Sequence, residues 1–199
     1  MNMRGLLCLT IFGEDDKMLP TLNPFSPPLF MTELCLCGRL VDLPDWIGSM
    51  VSLTKLKLGN SFLPEEAISV LQFLPNLNHL NLINACDTKQ IGKEFRLVGG
   101  FPKLEALIIT SKNLFEWTEI KKEALPSLAY LNFHNCSRLM SLPEGLQYVT
   151  TLKVLQMLPL HPDLEQKLKP GGGKENNKIK HIPQKHFFSP SALTWVTLE

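Results

Sequence analysis

Leu128-Ala129-Tyr130-Leu131-Asn132-Phe133-His134-Asn135-Cys136 is the stretch on which the fold turns. Leu131 and Phe133 alternate with Tyr130, Asn132 and His134, the period-two pattern of a short strand with one buried face. Leu128 precedes the pair by three. The same Lxx-L-x-L frame recurs as Met31-Leu34-Leu36, Leu53-Leu56-Leu58, Leu77-Leu80-Leu82, Leu104-Leu107-Ile109 and Leu152-Leu155-Met157. The first residues of these six frames lie 22, 24, 27, 24 and 24 positions apart. A seventh frame, Leu6-Leu9-Ile11, begins 25 before Met31. Leucine, at 37 of 199 residues, is in the excess that calls for a repeat, and 16 of the 37 stand in these frames.

A period near 24 falls within the ~20–29 of leucine-rich repeats. One such repeat cannot bury its own leucines, so neighbours must stack. The spacing therefore predicts an α/β fold, a leucine-rich-repeat solenoid with a curved parallel sheet on its concave face and irregular or short helical convex segments. Residues 1–160 hold about seven repeats, and residues 161–199 read as a terminal cap and a mobile basic tail. Leu40, Leu43-Pro44, Ile47 matches Leu139, Leu142-Pro143, Leu146, and in both the proline suits a turn leaving the strand. Pro75, Pro102 and Pro126 each stand two before a strand leucine, where proline pushes the residue before it towards an extended conformation. Glu65 to Leu74 has the apolar spacing of a short convex helix. Asp87 to Gly100, of mixed charge and ending in Gly99-Gly100, reads as a loop insertion. Beyond Leu160, Asp163 to Leu168 suits a closing helical turn, and Lys174 to Lys185 is polar and basic enough to predict mobility. Phe187, Phe188, Leu193, Trp195 and Val196 add apolar residues without a period.

Composition narrows the function. A net charge of +1 gives no broad field for nucleic acid or an anionic membrane. No apolar run approaches the ~18 residues of a membrane span. Gly5 to Gly13 has no small-residue cleavage site and runs into Glu14-Asp15-Asp16, so no secretory leader is expected. Five cysteines are an odd number without framework spacing, which suits free thiols in the cytoplasm. Cys35-x-Cys37 lacks the second half of a zinc site and reads as small strand side chains. Cys136 reads as structural, its thiol donating weakly to a loop carbonyl. No HExxH is present, and Gly99-Gly100 is not followed by a phosphate-loop Lys-Ser/Thr. Glu14-Asp15-Asp16 and Glu65-Glu66 read as solvated turns, and Trp46, Trp117 and Trp195 as packing residues. No catalytic residue, metal or cofactor is expected; the chemistry is binding.

Register then nominates the binding residues. Side chains flanking the inward leucines line the concave face: Lys55, His79 and Tyr130 in one column; Lys57, Asn81, Ile108, Asn132 and Gln156 in the central one; His134 in the next. A mixture of Tyr, His and Asn suits protein recognition, where aromatic anchors and adaptable polar groups dominate. Tyr130, His79, Asn81, Asn132 and His134 are expected to share one patch.

Three further pieces carry a family resemblance. They are Phe73-Leu74-Pro75-Asn76-Leu77, Gly99-Gly100-Phe101-Pro102-Lys103-Leu104, and Leu125-Pro126-Ser127-Leu128 with Cys136-x-x-Leu139-x-x-Leu142-Pro143-x-Gly145-Leu146. In this order they resemble the C-terminal repeats of plant intracellular coiled-coil nucleotide-binding leucine-rich-repeat resistance proteins, particularly the cereal type. The resemblance covers about Leu29 to Lys180. It implies plant innate immunity: sensing of a pathogen effector or guarded host protein, and restraint of the parent receptor's nucleotide-binding module. That module's phosphate-loop residues are absent, and a repeat strand stands almost at the start, so the expectation is a fragment, truncated product or short member. The alternative is a non-catalytic adaptor or accessory protein without a receptor role. A ubiquitin-ligase adaptor needs an F-box-like helical segment that residues 1–30 lack. A secreted ectodomain needs paired cap cysteines and more acceptor sites than the single Asn135-Cys136-Ser137.

Overall fold

A computed structural model describes residues 5–13, 17–23, 25, 27–86, 88–92, 95–171, 173–189 and 194–197. Its strands are β1 Cys8–Phe12, β2 Glu33–Cys37, β3 Lys55–Gly59, β4 His79–Ile83, β5 Gln90–Ile91, β6 Ala106–Thr110, β7 Glu116–Trp117, β8 Tyr130–His134, β9 Val154–Leu158, β10 Gln184–Ser189 and β11 Thr194–Thr197. Among the described residues, nine of these form one sheet in the order β1-β2-β3-β4-β6-β8-β9-β10-β11, parallel except for the last pair. Each frame becomes one strand, and the second and third apolar residues stand in register: Leu34 with Leu56, then Leu80, Leu107, Leu131 and Leu155. All six are buried, as are the third-position residues Leu36 to Met157 and the leading residues Met31 to Leu152. β1 is the exception: Leu9 and Ile11 are half-buried at the sheet edge.

Polar residues tie row to row where each strand begins. Thr54 Oγ1 donates to Thr32 O, Asn76 Nδ2 to Val51 O, Ser127 Oγ to Pro102 O and Thr151 Oγ1 to Leu128 O, at 2.7–3.0 Å. Just past the strands, Asn60, Asn84 and Asn135 adopt φ of 50°, 46° and 54°. Asparagine tolerates this left-handed region better than most residues. Cys136 follows in the same turn, buried, with Sγ donating to Ile109 O at 3.4 Å. Burial pushes this thiol up to about 12, against a lesser lowering by a backbone hydrogen bond from Ser111.

The opposite side is built from short turns. α1, Glu65–Ser69, continues into a 3-10 turn over Val70–Phe73, where helical spacing places it. Asp45–Ser49 and Leu146–Tyr148 are single 3-10 turns after the matched Leu-Pro pairs, burying Ile47 and Leu146. At Gly145 (φ 86°) the chain passes so close to Ile120 O that a side chain has no space. Trp117 is fully buried, its ring against Phe95 (centroids 4.9 Å) and Phe133 (6.0 Å). Trp46 is half-buried and donates Nε1–H to Leu22 O at 2.9 Å.

Two segments differ from the sequence reading. The expected loop insertion contributes to the core: β5 pairs with β7 in a second small parallel sheet, and Ile91 and Phe95 are buried. Of its charges, Lys89 is exposed and Arg96 is half-buried, reaching Glu119 at 3.6 Å; Asp87, Lys93 and Glu94 lie outside the described residues. The segment expected as a mobile tail also carries secondary structure. After α2, Pro162–Leu168, the chain forms α3, Lys174–Ile179, and then β10, which pairs with β9 and so extends the sheet past Leu160. Ile179, Ile182 and Phe187 supply the buried anchors that the polar composition hides. Lys178 is buried but satisfied, donating to Leu142 O (2.8 Å), Glu175 Oε1 (2.7 Å) and Glu144 Oε1 (2.8 Å). Glu175 Oε2 accepts from Leu142 N at 2.8 Å, so α3 grips both backbone groups of one residue. Glu14-Asp15-Asp16 and Leu193 lie outside the described residues, as do the side chains of Glu65, Trp195 and Val196.

Candidate protein-recognition face

The open face of the sheet carries the side chains that alternate with the buried ones. Strand register places them in three columns: Lys55, His79, Ala106, Tyr130 and Val154; Lys57, Asn81, Ile108, Asn132 and Gln156; Gly59, Ile83, Thr110, His134 and Leu158. Each nominated residue therefore stands on the predicted face. They gather in two halves that meet at Ile108.

In the first half, Lys55, Lys57, His79, Asn81 and Ile108 surround a depression of about 290 Å³ that also reaches Cys8, Glu33 and Cys35. Lys55 Nζ is 2.7 Å from Glu33 Oε1, an exposed pair worth at most about 1 kcal/mol. His79 Nδ1 lies 2.7 Å from Asn78 Oδ1. Cys35 is half-buried, and its thiol is pushed up to about 11, first by burial and then by the neighbouring Cys37. Cys8, Glu33 and Cys35 were not among the nominated residues; the β1-β2-β3 pairing brings them beside Lys55 and Lys57.

In the second half, Tyr130 OH donates to Gln156 Oε1 at 2.7 Å, and Asn132 Nδ2 donates to Tyr130 OH (3.1 Å) and Gln156 Oε1 (3.3 Å). The triangle holds the phenol oxygen through two hydrogen bonds, one donated and one accepted. It also takes Asn132 down to 8% exposure, so this residue positions Tyr130 more than it offers contact area itself. Ile108, between Asn81 and Asn132 in register, joins the halves with apolar surface. His134 is exposed one column away, beside Thr110 and Leu158. Among the described residues no cluster of three or more His, Cys, Asp or Glu is arranged to hold a metal ion. No described helix is long and apolar enough to cross a membrane.

Residues 1–169 match the family model of the leucine-rich repeat region. The chain belongs to that family. Within this leucine-rich-repeat family its relatives include three resistance proteins of Arabidopsis thaliana. Disease resistance protein RPM1 is 32% identical over 184 residues, 92% of this chain and 19% of RPM1. Disease resistance protein RPP8 is 29% identical over 194 residues, 94% of this chain and 21% of RPP8. Disease resistance RPP8-like protein 3 is 30% identical over 164 residues, 81% of this chain and 17% of the relative. The chain thus spans about a fifth of the length of these relatives. No solved structure matches it.

Proposed function

We propose that this leucine-rich-repeat chain is a recognition module of plant innate immunity, binding a pathogen effector or a guarded host protein on its concave face. The observation that carries this reading is the hydrogen-bonded Tyr130–Asn132–Gln156 triangle beside the Lys55–Lys57–His79–Asn81 depression. An oriented aromatic next to adaptable polar groups is the chemistry of a protein interface centre. Depression and triangle are bridged by Ile108 into a continuous apolar-centred surface with a polar rim. The chain works without catalysis, metal or cofactor, and in the cytoplasm. Where it forms part of a longer receptor, it also restrains the nucleotide-binding module. The similarity to resistance proteins supports the immune reading over that of a general adaptor.

The test is a cell-death assay in a receptor carrying this segment, with two variants. Tyr130→Ala with Asn132→Ala is expected to abolish the response, whereas Lys89→Ala with Arg96→Ala leaves it. The opposite pattern places recognition on the β5 side and refutes the assignment. Stoichiometric ATP binding or turnover by the purified chain would refute the non-catalytic reading.

A further inference from the structure

Cys35 and Cys37 carry their sulfurs 3.5 Å apart on the open side of β2. Residues two apart on a strand share a face, and here the two thiols turn towards each other. Both are free and half-buried. The next strand leaves them room: Gly59 stands opposite Cys37, and a Cβ there would lie 2.7 Å from Cys37 Sγ. The depression on the concave face opens beside Cys35.

A single atom bonded to two sulfurs at about 2.3 Å, the zinc–thiolate length, with an angle near 90°, holds them about 3.3 Å apart. The observed separation is close to that bite. We infer that Cys35 and Cys37 form a chelating dithiol site for trivalent arsenicals of the type R–As=O. Zinc asks for four ligands, and no described cluster supplies even three; a monosubstituted arsenic centre is complete with two. Soft thiolate donors suit such a soft acceptor. In the condensation both S–H bonds and the As=O bond break, and two As–S bonds form. The oxygen leaves as water with the two thiol protons. Arsenic stays trivalent, so no oxidant or reductant takes part.

Purified full chain mixed with one equivalent of phenylarsine oxide is read by intact mass, thiol count and peptide mapping. The expected result is a single adduct that removes two of the five thiols and maps to the peptide holding both Cys35 and Cys37. It reverses with 2,3-dimercaptopropanol but persists in excess 2-mercaptoethanol. Cys35→Ser and Cys37→Ser each weaken it by about 100-fold or more, because the second bond is no longer intramolecular. Cys8→Ser and Cys86→Ser leave it unchanged, and circular dichroism checks that every variant is folded. No adduct on the folded wild type overturns the inference. So does an adduct mapped to other cysteines, or one lost in Cys8→Ser but kept in Cys37→Ser.

Discussion

Gly145 and Gly171 have nearly the same backbone angle, φ 86° and 85°, in opposite surroundings. Around Gly171 nothing would touch an added Cβ within 4 Å, whereas at Gly145 it would fall inside the carbonyl oxygen of Ile120. Alanine at either site meets the left-handed penalty of about 1–2 kcal/mol. It recovers about 0.4–1 kcal/mol by restricting the unfolded chain. Gly171→Ala should therefore cost about 1 kcal/mol. Gly145→Ala must in addition push apart a pair of backbone segments held together by Ile120 N donating to Glu144 O at 2.7 Å. Overpacking of this kind costs about 1–3 kcal/mol, and the strained hydrogen bond about 1 kcal/mol more. The expected gap between the two variants is about 2–4 kcal/mol by the sum of these terms. Urea titration followed by circular dichroism measures it, provided that both variants keep the wild-type slope. A gap below about 1 kcal/mol, within the scatter of such extrapolations, means the two segments are not held as described and refutes the close approach.

Other outcomes follow from the same packing. Leu107→Ala, in the middle of the sheet and fully buried, should lose about 2–5 kcal/mol in the same titration, and a loss below about 1 kcal/mol contradicts its packing. Lys178→Ala should lose about 3–5 kcal/mol, because it strands the mostly buried Glu175 carboxylate. Burial pulls the Lys178 pKa down, but its hydrogen bonds to Glu144 and Glu175 and their charges outweigh it, so the net shift is upward. The bridge's contribution is thus full below the unfolded lysine value of about 10.4 and fades as pH rises through the higher folded value. On raising the pH from neutrality, the stability difference between wild type and Lys178→Met should shrink in that alkaline window and not before; a difference that already shrinks near neutrality contradicts the sign. Cys136, buried and pushed up to about 12, should resist Ellman's reagent at pH 8 until the chain unfolds, while exposed Cys8 reacts first.

The strands were legible because period-two alternation is a one-dimensional signal. Leu80 and Leu82 announce their face, and with it the columns of His79 and Asn81, without knowledge of the neighbours. What lay beyond reach depended on partners distant in sequence. Ile91 and Phe95 sit among charges and have no regular spacing. They become core because Trp117, a repeat later, supplies the ring and the strand they pack against. Lys178 reads as a solvated charge until Glu144 and Leu142 O, 34 and 36 residues earlier, are seen to meet it. At the candidate site the columns were readable from register, but the hydrogen bonds that divide them into a triangle and a depression were not. Side-chain direction within a column depends on which polar neighbours compete for it.

The sheet grows by a nearly constant step. Successive inward residues pair across 22 to 27 positions from Leu34 to Leu155, and the last parallel pairing, Leu155 with Lys185, spans 30. Closing each row therefore carries nearly the same chain-entropy cost, however many rows already stand. Contact order stays low as such a chain lengthens, so folding speed should depend little on the number of repeats. The same regularity has a hazard. A half-grown stack shows a row of unpaired backbone groups that fits the next row, and equally the matching row of another molecule. β11 lies antiparallel against β10, breaking the repeat at that edge so that a copied row no longer meets the same template.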